Sequence, residues 1–136
     1  MKIPSKPEFV SVIRLTVSSI ANRIGFNIDD IEDIKVAVAE ACTNAIKHSK
    51  NKEFEVDFEL DIDRICVVVK DDGKGFVHED IKSPNLLEPK EEGGLGIFII
   101  KSLMDEVEFD SKPGKGTEMR MIKYLGDDID GEGGKL

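Results

Sequence analysis

Three short clusters in this chain hold residue types that chemistry needs. The first is Glu40-Ala41-Cys42-Thr43-Asn44, inside a stretch with helical spacing. Residues four apart share a helix face, so Glu40, Asn44 and His48 form a polar stripe at the edge of the apolar one. A side chain at that edge lines a cleft while its helix stays docked. A carboxylate beside an amide oxygen suits a general base next to a hard cation. The second cluster is Asp71-Asp72-Gly73-Lys74-Gly75, directly after an apolar run. Its carboxylate can accept a hydrogen bond from an exocyclic amine such as that of adenine. Its glycines let the backbone approach a planar ligand without Cβ obstruction. The third, Gly93-Gly94-Leu95-Gly96, opens an apolar helix whose unpaired N–H groups would face an anion. It fits neither the dinucleotide fingerprint nor a Walker loop. Taken singly, each cluster also has a plain reading: a solvated helix face, an Asp-Gly turn, a glycine hinge.

The elements that must position these clusters follow from periodicity. Phe9, Val12, Ile13, Leu15, Val17, Ile20, Ala21 and Ile24 recur at three- and four-residue spacing and predict an amphipathic helix stopped by Gly25. Asn27 to Asp30 supply capping residues for a second helix, with Ile31, Ile34, Val38, Ala41, Cys42 and Ala45 as its buried stripe up to about His48. The period then changes to two. Phe54, Val56, Phe58 and Leu60 alternate with acidic residues, Asp61 to Arg64 make a turn, and Ile65 to Val69 complete a hairpin. Asp71 to Gly96 is a long connection with one short helical stretch at Glu79 to Lys82, the kind of segment that serves as a functional loop or lid. Ile97 to Met104 reads as a short helix, apolar all round and buried. Glu106 to Asp110 and Thr117 to Tyr124 read as closing strands joined by Lys112-Pro113-Gly114-Lys115-Gly116. The order helix, helix, strand, strand, helix, strand, strand predicts an α/β (α+β) two-layer sandwich, helices on one face of a mixed, mostly antiparallel sheet. Residues 1–125 form the domain and 126–136 an acidic, Gly-rich disordered tail.

Composition narrows the function. The chain has 136 residues, room for one core. With 19 basic and 28 acidic residues its formal net charge is −9, which argues against nucleic acid as a direct partner. No apolar stretch is long enough to cross a membrane, and no secretory signal is visible, so a cytoplasmic domain is expected. Cys42 and Cys66 lack metal or redox spacing and read as small buried hydrophobes.

The order and spacing of the clusters say more than each alone. A helix with Glu and Asn, a strand ending in Asp-x-Gly-x-Gly, a lid, Gly-x-Gly at a helix start, then Gly116-Thr117 entering a strand resemble the ATP-binding fold of histidine kinases and MutL, the GHKL superfamily. Glu40 to His48, Gly93 to Ile100, Leu103 to Val107 and the opening Ile3 to Val10 are similar to the stand-alone anti-sigma-factor serine kinases of the RsbW–SpoIIAB type. The resemblance covers the chain up to Leu125.

Carried over, this resemblance implies that Asn44 holds Mg²⁺ and that Glu40 is the base for an acceptor serine. It implies that Asp71 reads the adenine amine, that Gly73 and Gly75 shape the base pocket, and that Thr117 supports it through a water. Gly94 and Gly96 would cradle phosphates. Arg14 would contact protein partners, although a solvated helix arginine is the alternative. Where the family often carries a lid arginine this chain has Lys90-Glu91-Glu92, so Lys90 is the nearest cation and lacks the planar fork. His48 either contacts lid or phosphate or simply ends its helix. The implied activity binds Mg-ATP, sequesters a sigma factor and phosphorylates a serine of an anti-anti-sigma factor with a STAS domain, as a homodimer. The alternatives are a nucleotide-gated binding module without kinase activity and a phosphorelay kinase acting outside transcription.

Overall fold

The computed structural model describes residues 1–48, 52–71, 92–112 and 116–126. Pro7–Phe9 form a 3-10 turn that leads into α1, Val10–Ile24. Helix α1 buries Ile13, Val17 and Ala21 of the apolar residues expected to face the core, whereas Val12 and Leu15, read into the same stripe, are exposed because they lie off that four-residue line. It stops where Gly25 adopts φ of 115°, a left-handed conformation that costs a side-chain-bearing residue strain, and donates its N–H to Ala21 O at 3.1 Å. Asn27 then accepts the Asp30 N–H on its side-chain oxygen at 2.8 Å, the capping geometry that starts α2, Ile28–His48. Asp29 and Asp30 in its first turn and Lys47 and His48 in its last complement the helix dipole. Because Asn27 is the cap, α2 begins at Ile28, ahead of the apolar stripe that starts at Ile31.

Five strands form one sheet: β1 Lys2–Pro4, β2 Glu53–Leu60, β3 Arg64–Asp71, β4 Glu106–Lys112 and β5 Gly116–Tyr124. Their order is β1-β2-β3-β5-β4. Every pairing among the described residues is antiparallel, so the mixed component expected from the sequence is not seen there. The short edge strand β1 had no periodicity to reveal it in three residues. It pairs Ile3 with Phe54 and buries Ile3 in the core.

Helix α2 packs between α1 and α3, Glu92–Leu103, and lies over β3 and β5. The core between the layers holds Ile13, Val17, Ile34 and Val38 from the helices with Val56, Ile65, Val67 and Met121 from the sheet, all fully buried. At about 25 cal/mol per Å² of apolar surface, each such side chain contributes roughly 1.5–3 kcal/mol. Lys123 closes the C-terminus of α3 by donating to Leu103 O at 2.7 Å.

Two expectations about α3 need correction. The helix begins at Glu92, not Ile97, so the glycines lie within its first turns. Nor is it buried all round: Ile100 is sealed in the core, whereas Leu95 and Phe98 are 52% and 69% exposed. Helix α3 packs on α2 with one flank only, and its apolar sequence exceeds what that flank can cover. The expected helix at Glu79 to Lys82 and the tail from 127 onward lie outside the described residues. Among the described residues no helix is long and apolar enough to cross a membrane.

Candidate active site

Helix α2 carries Glu40 and Asn44 one turn apart, each half-buried on the flank that meets α3. The two helices approach closely at Gly96. A Cβ at that position would stand 3.0 Å from Glu40 Oε1, 3.1 Å from Asn44 Nδ2 and 3.3 Å from Asn44 Oδ1. Only glycine leaves room for both side chains to stay where they are. A carboxylate oxygen and an amide oxygen therefore converge on one small space roofed by helix backbone. Gly94 lies two residues earlier in α3, within the turn whose N–H groups lack intrahelical acceptors. Gly96 is about half a turn deeper, and its contribution in this conformation is closeness.

The sheet supplies a second polar group. The core face of β3 reads Ile65, Val67, Val69 and then Asp71, which is only 5% exposed. Asp71 lies opposite Thr117 on β5, and Thr117 lies opposite Ser111 on β4. One row earlier the same strands align Val69, Met119 and Phe109. An apolar row is thus followed by a polar row, Asp71–Thr117–Ser111, at the end of the core face of three adjacent strands. Ser111 Oγ lies 3.1 Å from Thr117 Oγ1. Asp71 and Ser111 are the buried polar side chains among the described residues, since Ser111 is 6% exposed. Buried polar groups cost free energy unless they are bonded, so their pairing here, in a row, marks the end of the sheet as specialised.

The structure thus brings Glu40, Asn44 and Gly96 together at the α2–α3 contact, and Asp71 with Thr117 on the sheet. Residues 72–91 connect the two groups in sequence, from the end of β3 to the start of α3. Gly73, Gly75 and Lys90 fall in that stretch, outside the described residues. His48 is the exposed last residue of α2, two turns beyond Glu40, and Arg14 is exposed on α1 next to Leu15, itself 72% exposed. Ser111 was missed, because the sequence reading ended β4 at Asp110. The two-residue alternation Val107, Phe109, Ser111 was the available signal, since it puts a serine where the core face calls for an apolar residue.

Cysteine chemistry is absent from this arrangement. Cys42 and Cys66 are free and buried, and burial pushes the Cys42 thiol up to about 12. Among the described residues, no group of three His, Cys, Asp or Glu side chains could hold a metal by itself. Mg²⁺ keeps several waters and takes one or two protein oxygens alongside substrate phosphates. Asn44 Oδ1, beside the Glu40 carboxylate, is a donor of that kind.

Comparison with known proteins gives the family and the fold. The family model described as histidine kinase-like ATPase domain matches residues 3–123. The serine-protein kinase RsbW of Halalkalibacterium halodurans is 44% identical over 134 residues, spanning 92% of this chain and 82% of the relative. The protein of that name from Bacillus subtilis is 42% identical over 92% of this chain and 84% of its own. A Staphylococcus epidermidis RsbW is 43% identical over 92% and 85%. The histidine kinase domain of a blue-light activated histidine kinase from Erythrobacter litoralis EL346 superposes with a TM-score of 0.55 at 23% identity. It covers 90% of this chain and 62% of its own, a likeness of fold. The chain belongs to the histidine kinase-like ATPase domain family, among the serine-protein kinases named RsbW.

Proposed function

We propose that this chain is an ATP-dependent protein serine kinase that also sequesters a sigma factor, with a serine of an anti-anti-sigma protein as its acceptor. The observation that carries the reading is the convergence of Glu40 and Asn44 on Gly96. Phosphoryl transfer asks little covalent chemistry of a protein and much positioning and charge stabilisation. Glu40 accepts the proton of the acceptor serine hydroxyl as the serine oxygen attacks the γ-phosphorus, the bond from that phosphorus to the β,γ-bridging oxygen breaks and ADP leaves. Asn44 would hold Mg²⁺ through its side-chain oxygen, and the bound cation would neutralise phosphate charge. Asp71 accepts from the adenine amine, with Thr117 beside it in the row. Gly94 and the neighbouring amides at the α3 N-terminus face the phosphates. Gly73, Gly75 and Lys90 belong to the same proposal through the family motif, with His48 at the site's margin.

The proposed partners follow from charge and exposure. A surface with net charge −9 is complementary to basic regions of a sigma factor, and Arg14 on exposed α1 is the proposed contact. A homodimer located in the cytoplasm completes the reading.

The test is transfer of label from γ-labelled ATP to serine in extracts of the source cell. Wild type is expected to label a small protein on serine, and Glu40→Ala to lose that label while retaining ATP binding. Equal labelling by both proteins would remove Glu40 from the role of base. ATP binding without any labelling by wild type would leave a nucleotide-gated binding module.

A further inference from the structure

The proposed nucleotide site uses Asp71 and Thr117 but leaves Ser111 without a role. Ser111 is nevertheless placed with care. It lies at the end of β4, faces the core side, is 6% exposed and has its hydroxyl 3.1 Å from that of Thr117. Asp71 flanks Thr117 on the opposite side, so Thr117 stands between two buried polar side chains on neighbouring strands. A serine at an inward position of a strand brings a hydroxyl where valine would bring only methyl groups, and in this row the hydroxyl meets that of Thr117.

We propose that Ser111 is a positioning residue for nucleobase discrimination: its hydroxyl holds that of Thr117 beside Asp71, so that the row favours a base with an exocyclic amine. The inference rests on the nucleotide-binding reading above. A threonine hydroxyl alone rotates and accepts as readily as it donates. Bonded to Ser111, the Thr117 hydroxyl has one fewer orientation to adopt, and Asp71 beside it is an acceptor. Either hydroxyl can donate in this pair; where Ser111 is the donor, the one hydroxyl proton of Thr117 points away from Ser111. Thr117 then offers a donor beside the Asp71 acceptor. Adenine presents the matching pattern, an amine donor next to a ring-nitrogen acceptor. Hypoxanthine presents the reverse, a carbonyl acceptor next to a ring N–H donor.

Threonine and valine at position 111 have nearly the same shape and differ in the hydroxyl, so this pair separates hydrogen bonding from packing. The experiment measures the affinities of ATP and inosine triphosphate, with Mg²⁺, for wild type, Ser111→Thr and Ser111→Val, and the melting temperature of each. Wild type and Ser111→Thr are expected to prefer ATP by similar factors. Ser111→Val is expected to lower that preference about fivefold, the size of one hydrogen bond, while melting near the Ser111→Thr protein. Equal preference in the Thr and Val proteins would overturn the role of Ser111. Wild type binding both nucleotides equally well would also overturn it, with the nucleotide site itself intact. Failure of wild type to bind either nucleotide would remove the underlying kinase reading as well.

Discussion

The two faces of the sheet carry polar groups of opposite kinds. On the outer face Arg120 lies 2.6 Å from Glu59, 3.7 Å from Glu118 and 3.9 Å from Glu108, and Lys70 lies 3.1 Å from Asp57. Tyr124 donates to Glu106 at 2.8 Å. These charged side chains spread over a small buried cluster of Cys66, Val68 and Ile122, with Arg120 directly across from Val68. Their stems shelter apolar surface while their heads stay in water. The Lys70 hydrogen bond holds the Asp57 carboxyl below its ordinary range. On the helix-facing side the polar groups among the described residues are fewer and buried or half-buried: Asp71, Thr117 and Ser111 in one row, Lys123 bonded to Leu103 O and 3.9 Å from Asp33 further along β5, and Glu40 and Asn44 at the helix contact. The exposed ion pairs of the outer face contribute little each, about 0–1 kcal/mol. Few enclosed groups cost more to keep, and a fold retains them where they act on something. Counting charged contacts would therefore point away from the proposed site.

The difference between the faces can be broken or sharpened by substitution. Glu40→Ala should have the largest effect, a loss of about 10²- to 10⁴-fold in phosphotransfer rate with ATP affinity kept, read by steady-state kinetics and calorimetry. Gly96→Ala should come next. Its methyl would press on the Glu40 and Asn44 side chains at 3.0–3.3 Å. Transfer should then fall about tenfold to a hundredfold through misplacement, while helix propensity keeps the melting temperature level or raises it. A parallel fall in both would make Gly96 a packing residue only. Asp71→Asn should weaken ATP binding by about tenfold or more, since a hydrogen bond to a charged acceptor is lost in a buried place. Arg120→Ala removes three ion pairs from the outer face and should change stability by about 1 kcal/mol or less, with ATP affinity unaltered. An Arg120→Ala effect on ATP binding equal to that of Asp71→Asn would erase the distinction between the faces.

Much of this was legible in the sequence because it is periodic. The four-residue stripe of α2 placed its buried residues, those of α1 and β2 did so only in part, since Val12, Leu15 and Leu60 are exposed, and the Gly25 and Asn27 boundaries follow from local chemistry. The spacing of Glu40 and Asn44 put both on one flank of α2. What the sequence did not show is which flank of α3 would meet them. Leu95 and Phe98 are as apolar as Ile100, and periodicity cannot say which of them will find a neighbour. Packing decides that, and it turned an apparently all-buried helix into one with an exposed apolar side. The three-residue strand β1 is too short to carry a pattern. Ser111 escaped because its meaning lies across strands, in its register with Thr117 and, through Thr117, with Asp71. Linear spacing carries no register.

The most direct measurement is a calorimetric titration of the full chain with ATP, with and without Mg²⁺, repeated on Asn44→Ala. A nucleotide site built on Asn44 and Asp71 should bind ATP more tightly with Mg²⁺ than without, and Asn44→Ala should lose that increment while still binding metal-free ATP. Absence of ATP binding by wild type in both conditions, or an undiminished Mg²⁺ increment in Asn44→Ala, would contradict it.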